Sequence, residues 1–340
     1  MFTVIIPFMN LNQQFRLRNL IYVIENYKRI APDFDIIVIE QNGDGLVESL
    51  LAEYDNVKHI NLSINNKLFH KTRLLNYAID SCNSEYIIMS DADCVISING
   101  IDIIRSHYAD GSIIYPFNVV DYYNEGYTRK YIKGEAFTKY SIDSRNLPIK
   151  RFTGLINCFS RSTYNKVGKF DEEFIGWGSE DDAFVIKCER VCGAVYRSDL
   201  DSMLIHLFHP KCDTDSYKNS SEFIDNKKRA AVIKRMSDDD LFEYVNKKTT
   251  LKELISKYES MNMMDLTLKW KLNNAVVTLD STIYDIGSFD NMSITRILKS
   301  IYDIDGKDFM LSIVELIYSK VTDLSISQRD EIDSCIKMCV

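Results

Sequence analysis

Two carboxylates, Asp91 and Asp93, stand one small residue apart at the end of the apolar run Glu85-Tyr-Ile-Ile-Met-Ser-Asp-Ala-Asp-Cys-Val-Ile96. Acids at this spacing can share a hard divalent ion, or one can take the ion while the other holds a ligand hydroxyl. Such triplets also occur in turns and caps, so the pair alone does not define a site. A second loaded stretch is Gly176-Trp-Gly-Ser-Glu-Asp-Asp182. One reading is a helix start, with Ser179 as N-cap and acids in the first turn complementing the dipole. That leaves two glycines around Trp177 unexplained, since they are costly in chain entropy unless the backbone must approach something closely. An indole beside Glu180, Asp181 and Asp182 suits a sugar, with the apolar face on the ring and hydroxyls on the carboxylates. One of these acids could then act as general base toward a sugar hydroxyl.

The third stretch is Met203-Leu-Ile-His206-Leu-Phe-His209. A histidine in an apolar run is often a core residue; a pair at i, i+3 with a distant Asp also suits Mn²⁺ or a similar ion. Such an ion would neutralise a departing diphosphate. The fourth, Phe69-His70-Lys71-Thr72-Arg73, is either an ordinary helix with solvated basic residues or a phosphate site at a helix N-terminus.

The elements that must position these residues alternate. Thr3–Phe8, Asp35–Glu40, Val57–Leu62 and Tyr86–Ser90 read as strands, with helices over Arg16–Ile30, near Val47–Tyr54 and over Thr72–Ser81 between them. A β-α-β-α-β-α-β series implies a parallel sheet with helices on both faces, and a ligand crevice beyond the strand ends. The sheet end therefore receives Asp91 and Asp93. Ser112–Pro116 and Lys150–Arg161 read as further strands and Ser162–Val167 as a short helix. Tyrosines 115, 122, 123, 127, 131 and 140 either stack sugars or close over the sheet. Ser221–Met236 reads as a helix, and Thr250 with Glu253 forms a capping box before Leu251–Tyr258. Ser293–Ile304, Lys307–Val321 and Ser327–Cys339 read as amphipathic helices. The chain is thus expected to divide into residues 1–220 and a C-terminal helical extension, 221–340, with about 250–340 as a small helical domain or lid that offers a surface for self-association.

Composition limits the partners. With 340 residues, 46% hydrophobic and 26% charged, the chain can bury a main core and a smaller one. A formal net charge of −8 argues against a nucleic-acid backbone as partner. Eight scattered cysteines without C-x-x-C spacing fit reduced thiols. Cys188/Cys192 and Cys335/Cys339 fall at helical i, i+4 spacing and face a core more readily than a metal. The N-terminus enters a strand at once, without a leader pattern, and no apolar run is long enough to span a bilayer. A cytoplasmic, at most membrane-peripheral, protein is expected.

In order along the chain, six stretches resemble the β-1,4-galactosyltransferase family of inverting GT-A glycosyltransferases, from about Thr3 to His209. Ile5-Ile-Pro-Phe8-x-Asn10 is similar to its first strand and uridine-binding turn, and Val38-Ile-Glu-Gln-Asn-Gly-Asp44 to its second strand end. Phe69-His-Lys-Thr-Arg-Leu-Leu-Asn76 is similar to Phe-Asn-Arg-Ala-Lys-Leu-Leu-Asn, and Ser90-Asp-Ala-Asp93 to Ser-Asp-Val-Asp. Gly176-Trp-Gly-Ser-Glu-Asp-Asp182 is similar to Gly-Trp-Gly-Gly-Glu-Asp-Asp, and Met203-x-x-His206 reproduces the family's Met-x-x-His. The resemblance implies an α/β GT-A fold and a Mn²⁺ or similar ion on Asp93, Met203 and His206. It implies Pro7, Phe8, Glu40, Phe69 and Lys71 at the nucleotide, Asp91 facing the donor, and Trp177 at donor phosphate and acceptor. Glu180 and Asp182 would meet acceptor hydroxyls, and Asp181 would be the base of an inverting displacement. Phe152 aligns with the donor-selecting aromatic. His209 is either a ligand or a support for His206.

Met9 and Leu11 stand where the family has arginines, His70 replaces an asparagine, and Leu155 replaces one glycine of a pair. Galactose, N-acetylgalactosamine and glucose all stay open as the hexose. The expected function is transfer of a hexose from a UDP-sugar to a glycan or glycolipid hydroxyl. A nucleotidyltransferase would want a glycine- and lysine-rich N-terminal phosphate loop, which is absent from the sequence. A non-catalytic nucleotide-sugar or glycan-binding module is the third reading.

Overall fold

Four short, β-branched runs form the parallel heart of a seven-stranded sheet: β1 (Phe2–Phe8), β2 (Asp35–Gln41), β3 (Val57–Leu62) and β4 (Tyr86–Ser90). In the computed structural model they lie in the order β3-β2-β1-β4, and every neighbouring pair is parallel. The crossovers are α1 (Gln14–Ile30), α2 (Leu46–Leu51) and α3 (Lys71–Asp80). Each turns an apolar stripe to the sheet; α1 buries Leu20, Val23, Ile24 and Tyr27, and α3 buries Leu74, Leu75, Ala78 and Ile79. Each of the leucine, isoleucine and valine side chains contributes about 1.5–3 kcal/mol. The strand order reverses between β1 and β4, so their carboxyl ends flank the crevice where open α/β sheets bind ligands.

Beyond β4 the chain forms β5 (Cys94–Ile96), α4 (Ile98–His107), β6 (Ser112–Tyr115), β7 (Val119–Tyr122) and α5 (Glu125–Ile132). It continues with β8 (Ile156–Ser160), α6 (Arg161–Lys166), α7 (Glu180–Cys192), β9 (Ala194–Arg197) and β10 (Met203–His206). The large sheet is completed as β4-β8-β6-β9, in which β8 alone runs antiparallel to its neighbours. β5, β10 and β7 make a separate three-stranded sheet. A mostly parallel sheet flanked by helices is the α/β GT-A architecture that the motifs implied.

The structure describes residues 1–10, 14–108, 112–135, 153–198, 202–210, 220–260, 276–279 and 282–285. They fall in two compact units, Met1–Glu259 and Ser260–Val340. The first unit runs past the expected boundary at 220, because three more helices pack into it: α8 (Ser221–Arg235), α9 (Asp238–Val245) and α10 (Leu251–Ser260). Ile233, Met236, Leu241, Leu251 and Leu254 form a small core with Phe174 and Ala183. In the second unit the described residues are a hairpin of β11 (Val276–Leu279) and β12 (Thr282–Asp285). That departs from an all-helical extension, and the β-branched content of Val276-Val-Thr and Thr282-Ile is the physical reason. The three C-terminal helices expected from the sequence lie outside the described residues, as do Phe152 and Tyr140. No helix among the described residues is long and apolar enough to cross a membrane.

Candidate active site

The turn between β4 and β5 carries both acids. The Asp91 amide donates to the Leu155 carbonyl at 2.9 Å and Cys94 closes the turn on the Asp91 carbonyl at 3.2 Å. Antiparallel pairing sets His206 of β10 opposite Cys94 of β5, and the Leu207 amide donates to the Asp93 carbonyl at 2.8 Å. Register thus brings an imidazole from more than a hundred residues away onto Asp93. His206 Nε2 lies 3.6 Å from Asp93 Oδ1, and His209 Nε2 lies 3.2 Å from Oδ2. The ligand atoms of these three residues all lie within 4.8 Å of one another.

The tautomers fit a cation. His206 Nδ1 faces the Leu207 carbonyl at 3.1 Å and His209 Nδ1 the Pro210 carbonyl at 3.1 Å. A carbonyl only accepts, so each Nδ1 carries hydrogen and each ring turns its Nε2 to the carboxylate, to donate to it when protonated and to offer a lone pair beside it when not. With both Nε2 atoms unprotonated, the three residues offer an O,N,N donor set within 4.8 Å, which suits Mn²⁺ or a similar ion. Burial pushes Asp93 up, but His206, His209 and Arg16 outweigh it and hold the carboxyl below its ordinary value. Tyr122 stacks on His206, with ring centroids 4.8 Å apart. Met203 opens β10 half-buried against the core. On the strand's alternation it shares a side with Ile205, and His206 with Leu204.

The second cluster hangs on Lys71, the first residue of α3. Its side chain is 7% exposed and its Nζ lies 3.0 Å from Asp91 Oδ1 and 3.0 Å from Asp181 Oδ2. Burial pulls the lysine down, but Asp181 and Asp91 more than reverse that, holding it well above the ordinary lysine range. The entry to α3 is fixed by Gln41, whose Oε1 accepts from the His70 amide at 2.8 Å while its Nε2 donates to Leu68 O at 2.8 Å. The basic stretch therefore sends its lysine to two carboxylates, while Arg73 is exposed.

Asp181 sits in the first turn of α7. Its carboxyl is pushed up to about 8: burial raises it most, Lys71 pulls it down, and Glu180 and Asp91 add to the rise. Its Oδ1 is buried without a protein hydrogen-bond partner. Ser179 stands at the N-cap position but at φ 65°, with no side-chain cap bond. The conventional cap expected there is therefore absent. Glu180 instead accepts from the Gly178 amide at 2.9 Å, and burial raises its carboxyl. The backbone from Gly176 to Ser179 lies at positive φ at residues 176, 178 and 179, a conformation held only where surroundings over-determine it. The Gly176 amide donates to Phe69 O at 2.9 Å. Trp177 is 58% exposed and stacks on Phe223 of α8, with centroids 5.6 Å apart. Asp182 accepts from Thr153 Oγ1.

Pro7 and Phe8 end β1 at the crevice, both buried, and Phe69 is half-buried against the core. Glu40 is fully buried, its Oε2 3.0 Å from His59 Nε2, so its near partner is an imidazole of β3. Tyr115 is buried, and Tyr123 almost so; Tyr122, Tyr127 and Tyr131 pack half-buried on the same core. For these five, closing over the sheet is the reading the contacts favour. The sequence did not single out Phe223, Thr153 or Gly154. A side-chain carbon added at Gly154 would collide with Asp181 Oδ2, and the neighbouring Leu155 is held at φ 71°.

Residues 3–169 match the model of glycosyl transferase family 2, and residues 137–210 match that of the N-terminal domain of galactosyltransferase. No curated protein matches the chain. Among solved structures the chain is similar to S. aureus TarS 1-349 in complex with UDP-GlcNAc, at 15% identity over 80% of this chain and 76% of that one, with a TM-score of 0.49. It is similar to GalNAc-T7 with UDP, GalNAc and Mn²⁺, at 16% identity over 82% and 59%, with a TM-score of 0.49. It is also similar to the catalytic domain of Drosophila β1,4-galactosyltransferase 7 in complex with xylobiose, at 14% identity over 83% and 90%, with a TM-score of 0.41. The two sequence models meet over residues 3–210, the stretch that holds both clusters; the chain is a glycosyltransferase.

Proposed function

We propose that the chain is a divalent-cation-dependent, inverting hexosyltransferase of the β-1,4-galactosyltransferase type, moving a hexose from a UDP-sugar to a glycan or glycolipid hydroxyl. One observation carries this reading. His206 and His209 meet at Asp93, and Asp91, two residues before it on the same turn, is joined through Lys71 to Asp181. An ion held by the first cluster and a base in the second would stand on either side of one turn, as a single in-line displacement requires.

Asp93, His206 and His209 would hold the ion; Met203, the ligand that the resemblance also implies, would have to reach it from the other side of β10. Bound there, it supplies charge neutralisation for the departing diphosphate. Pro7, Phe8 and Phe69 line the nucleotide side and Asp91 the donor sugar. Trp177, Glu180 and Asp182 receive the acceptor, the indole taking a sugar face and the acids its hydroxyls. Asp181 accepts the proton of the acceptor hydroxyl through Oδ1 as the hydroxyl's own oxygen bonds to the anomeric carbon and the bond from that carbon to UDP breaks. General-base help of this kind is worth about a hundred- to ten-thousand-fold. The work is assigned to the cytoplasm, on a surface-glycan precursor.

The test is UDP release from a panel of UDP-hexoses with Mn²⁺. Release is expected from at least one donor, to be abolished by EDTA, restored by excess Mn²⁺, and lost in Asp181→Asn. Persistence in both EDTA and the variant removes the proposal, and pyrophosphate release from a nucleoside triphosphate would point to a nucleotidyltransferase instead.

A further inference from the structure

A lysine that lines a nucleotide pocket would direct its ammonium toward phosphates. Lys71 has its ammonium committed elsewhere, 3.0 Å from one carboxylate on the donor side and 3.0 Å from another on the acceptor side. The helix aims it there. As the first residue of α3 its side chain leans back beyond the helix N-terminus, and Gln41 on the preceding amide fixes that entry. We propose that Lys71 is a positioning residue for the base: it clamps Oδ2 of Asp181, lowers the pH at which that carboxyl ionises, and leaves Oδ1 to face the acceptor hydroxyl. This rests on Asp181 being the base.

The surroundings make such a clamp necessary. Asp181 shares its site with Asp91 of the β4–β5 turn and with Glu180 beside it on α7, and Glu180 is itself buried. Asp182 is turned to Thr153. From the sheet, Tyr115 of β6 approaches as a neutral phenol whose hydroxyl donates to the Thr153 carbonyl. Lys71 is therefore the cation set among three carboxylates. Two acids crowded together do not both ionise, and an adjacent cation lowers a carboxyl by about one to three pH units. Oδ2 is also enclosed by Gly154, where a side-chain carbon would collide with it. Between Lys71 and Gly154 the carboxylate has one rotational setting, and its free oxygen is Oδ1.

The test compares wild type, Lys71→Met and Lys71→Arg, using the UDP-hexose that gives most UDP release, at saturating Mn²⁺ from about pH 6 to about pH 11, a range that brackets the shift expected from charge removal. Lys71→Met should move the acidic limb of kcat upward by about one to three pH units, with the affinity for UDP itself changed little. Lys71→Arg should keep the limb near that of wild type. An unmoved limb in a folded Lys71→Met, with the loss confined to weaker UDP binding, overturns the proposal and returns Lys71 to the nucleotide. If Lys71→Met does not fold, Asp91→Asn serves, since it leaves Lys71 wholly to Asp181 and should move the limb down; an unmoved limb there is equally fatal. Turnover surviving in Asp181→Asn would instead sink the base assignment, whatever Lys71 does.

Discussion

Asp181 binds a proton in the folded protein at pH values where an unfolded aspartate has lost it. Burial raises the folded value to about 8 from an ordinary 3.8. Linkage then fixes two opposite trends. The stabilising effect of holding that proton is fully present below about pH 4 and is lost as pH rises through about 8. Catalysis needs the ionised form, so turnover should climb over the same interval. An uncharged isostere escapes the first effect and cannot supply the second. Asp181→Asn should therefore match wild type in melting temperature near pH 4 and exceed it increasingly up to pH 8, while UDP release disappears at every pH. Thermal unfolding followed by circular dichroism checks this. A variant that melts below wild type at pH 8 would show that the Lys71 contact matters more to folding than the burial of the charge does.

At the scale of elements, the site depends on loops packed behind it. Thr153 reaches Asp182, the Leu155 carbonyl receives the Asp91 amide at 2.9 Å, and Gly154 between them lies against Asp181. One segment leading into β8 thus touches both carboxylate clusters. Gly154→Ala should push Asp181 out of line; a misplacement of about 1 Å can cost about a hundredfold in rate. We expect kcat to fall by about that factor with UDP affinity retained, measured by steady-state kinetics and calorimetry; unchanged kcat would mean the loop yields and the base does not. Much of this framework was legible beforehand. Val57–Leu62 and Tyr86–Ser90 have the bounds their apolar runs indicated. The Thr250–Glu253 box forms, with the Thr250 amide 2.8 Å from Glu253 Oε2 and the Glu253 amide 3.2 Å from Thr250 Oγ1. Local periodicity and capping chemistry are written in adjacent residues. The Lys71–Asp181 contact spans 110 positions, and nothing local specifies it. Nor does sequence reveal that Leu155 takes a backbone conformation usually left to glycine, or that Ser179 bends past its capping geometry. His209 was visible as a residue but not as a neighbour of Asp93, because that depends on where the chain goes after β10 ends.

For the whole molecule, the contacts of α8, α9 and α10 decide how much chain the site needs. These helices do not stand apart from the sheet. Asn226 of α8 donates to the Ile175 carbonyl at 2.9 Å, just before the Gly176–Gly178 turn, and Phe223 underlies Trp177. Arg190 of α7 donates to the Ile233 carbonyl at 3.1 Å and to Asp238 at 2.6 Å. Ending the chain at Ser220 would bare the apolar face of Phe174 and Ala183 and remove Ile233, Met236, Leu241, Leu251 and Leu254 from it. With each large side chain worth about 1.5–3 kcal/mol, that loss is comparable to the whole stability of a domain, about 5–15 kcal/mol. Ending it at Glu259 removes none of these residues and none of the described site. The shorter fragment should therefore fail to give a cooperative melt, whereas residues 1–259 should unfold in one transition and still release UDP in a Mn²⁺-dependent way. Circular dichroism and the UDP-release assay on the two fragments decide it. A cooperative, active 1–220 fragment would make the three helices an accessory rather than part of the catalytic unit. An unfolded 1–259 fragment would mean that folding of the first unit draws on residues after Glu259.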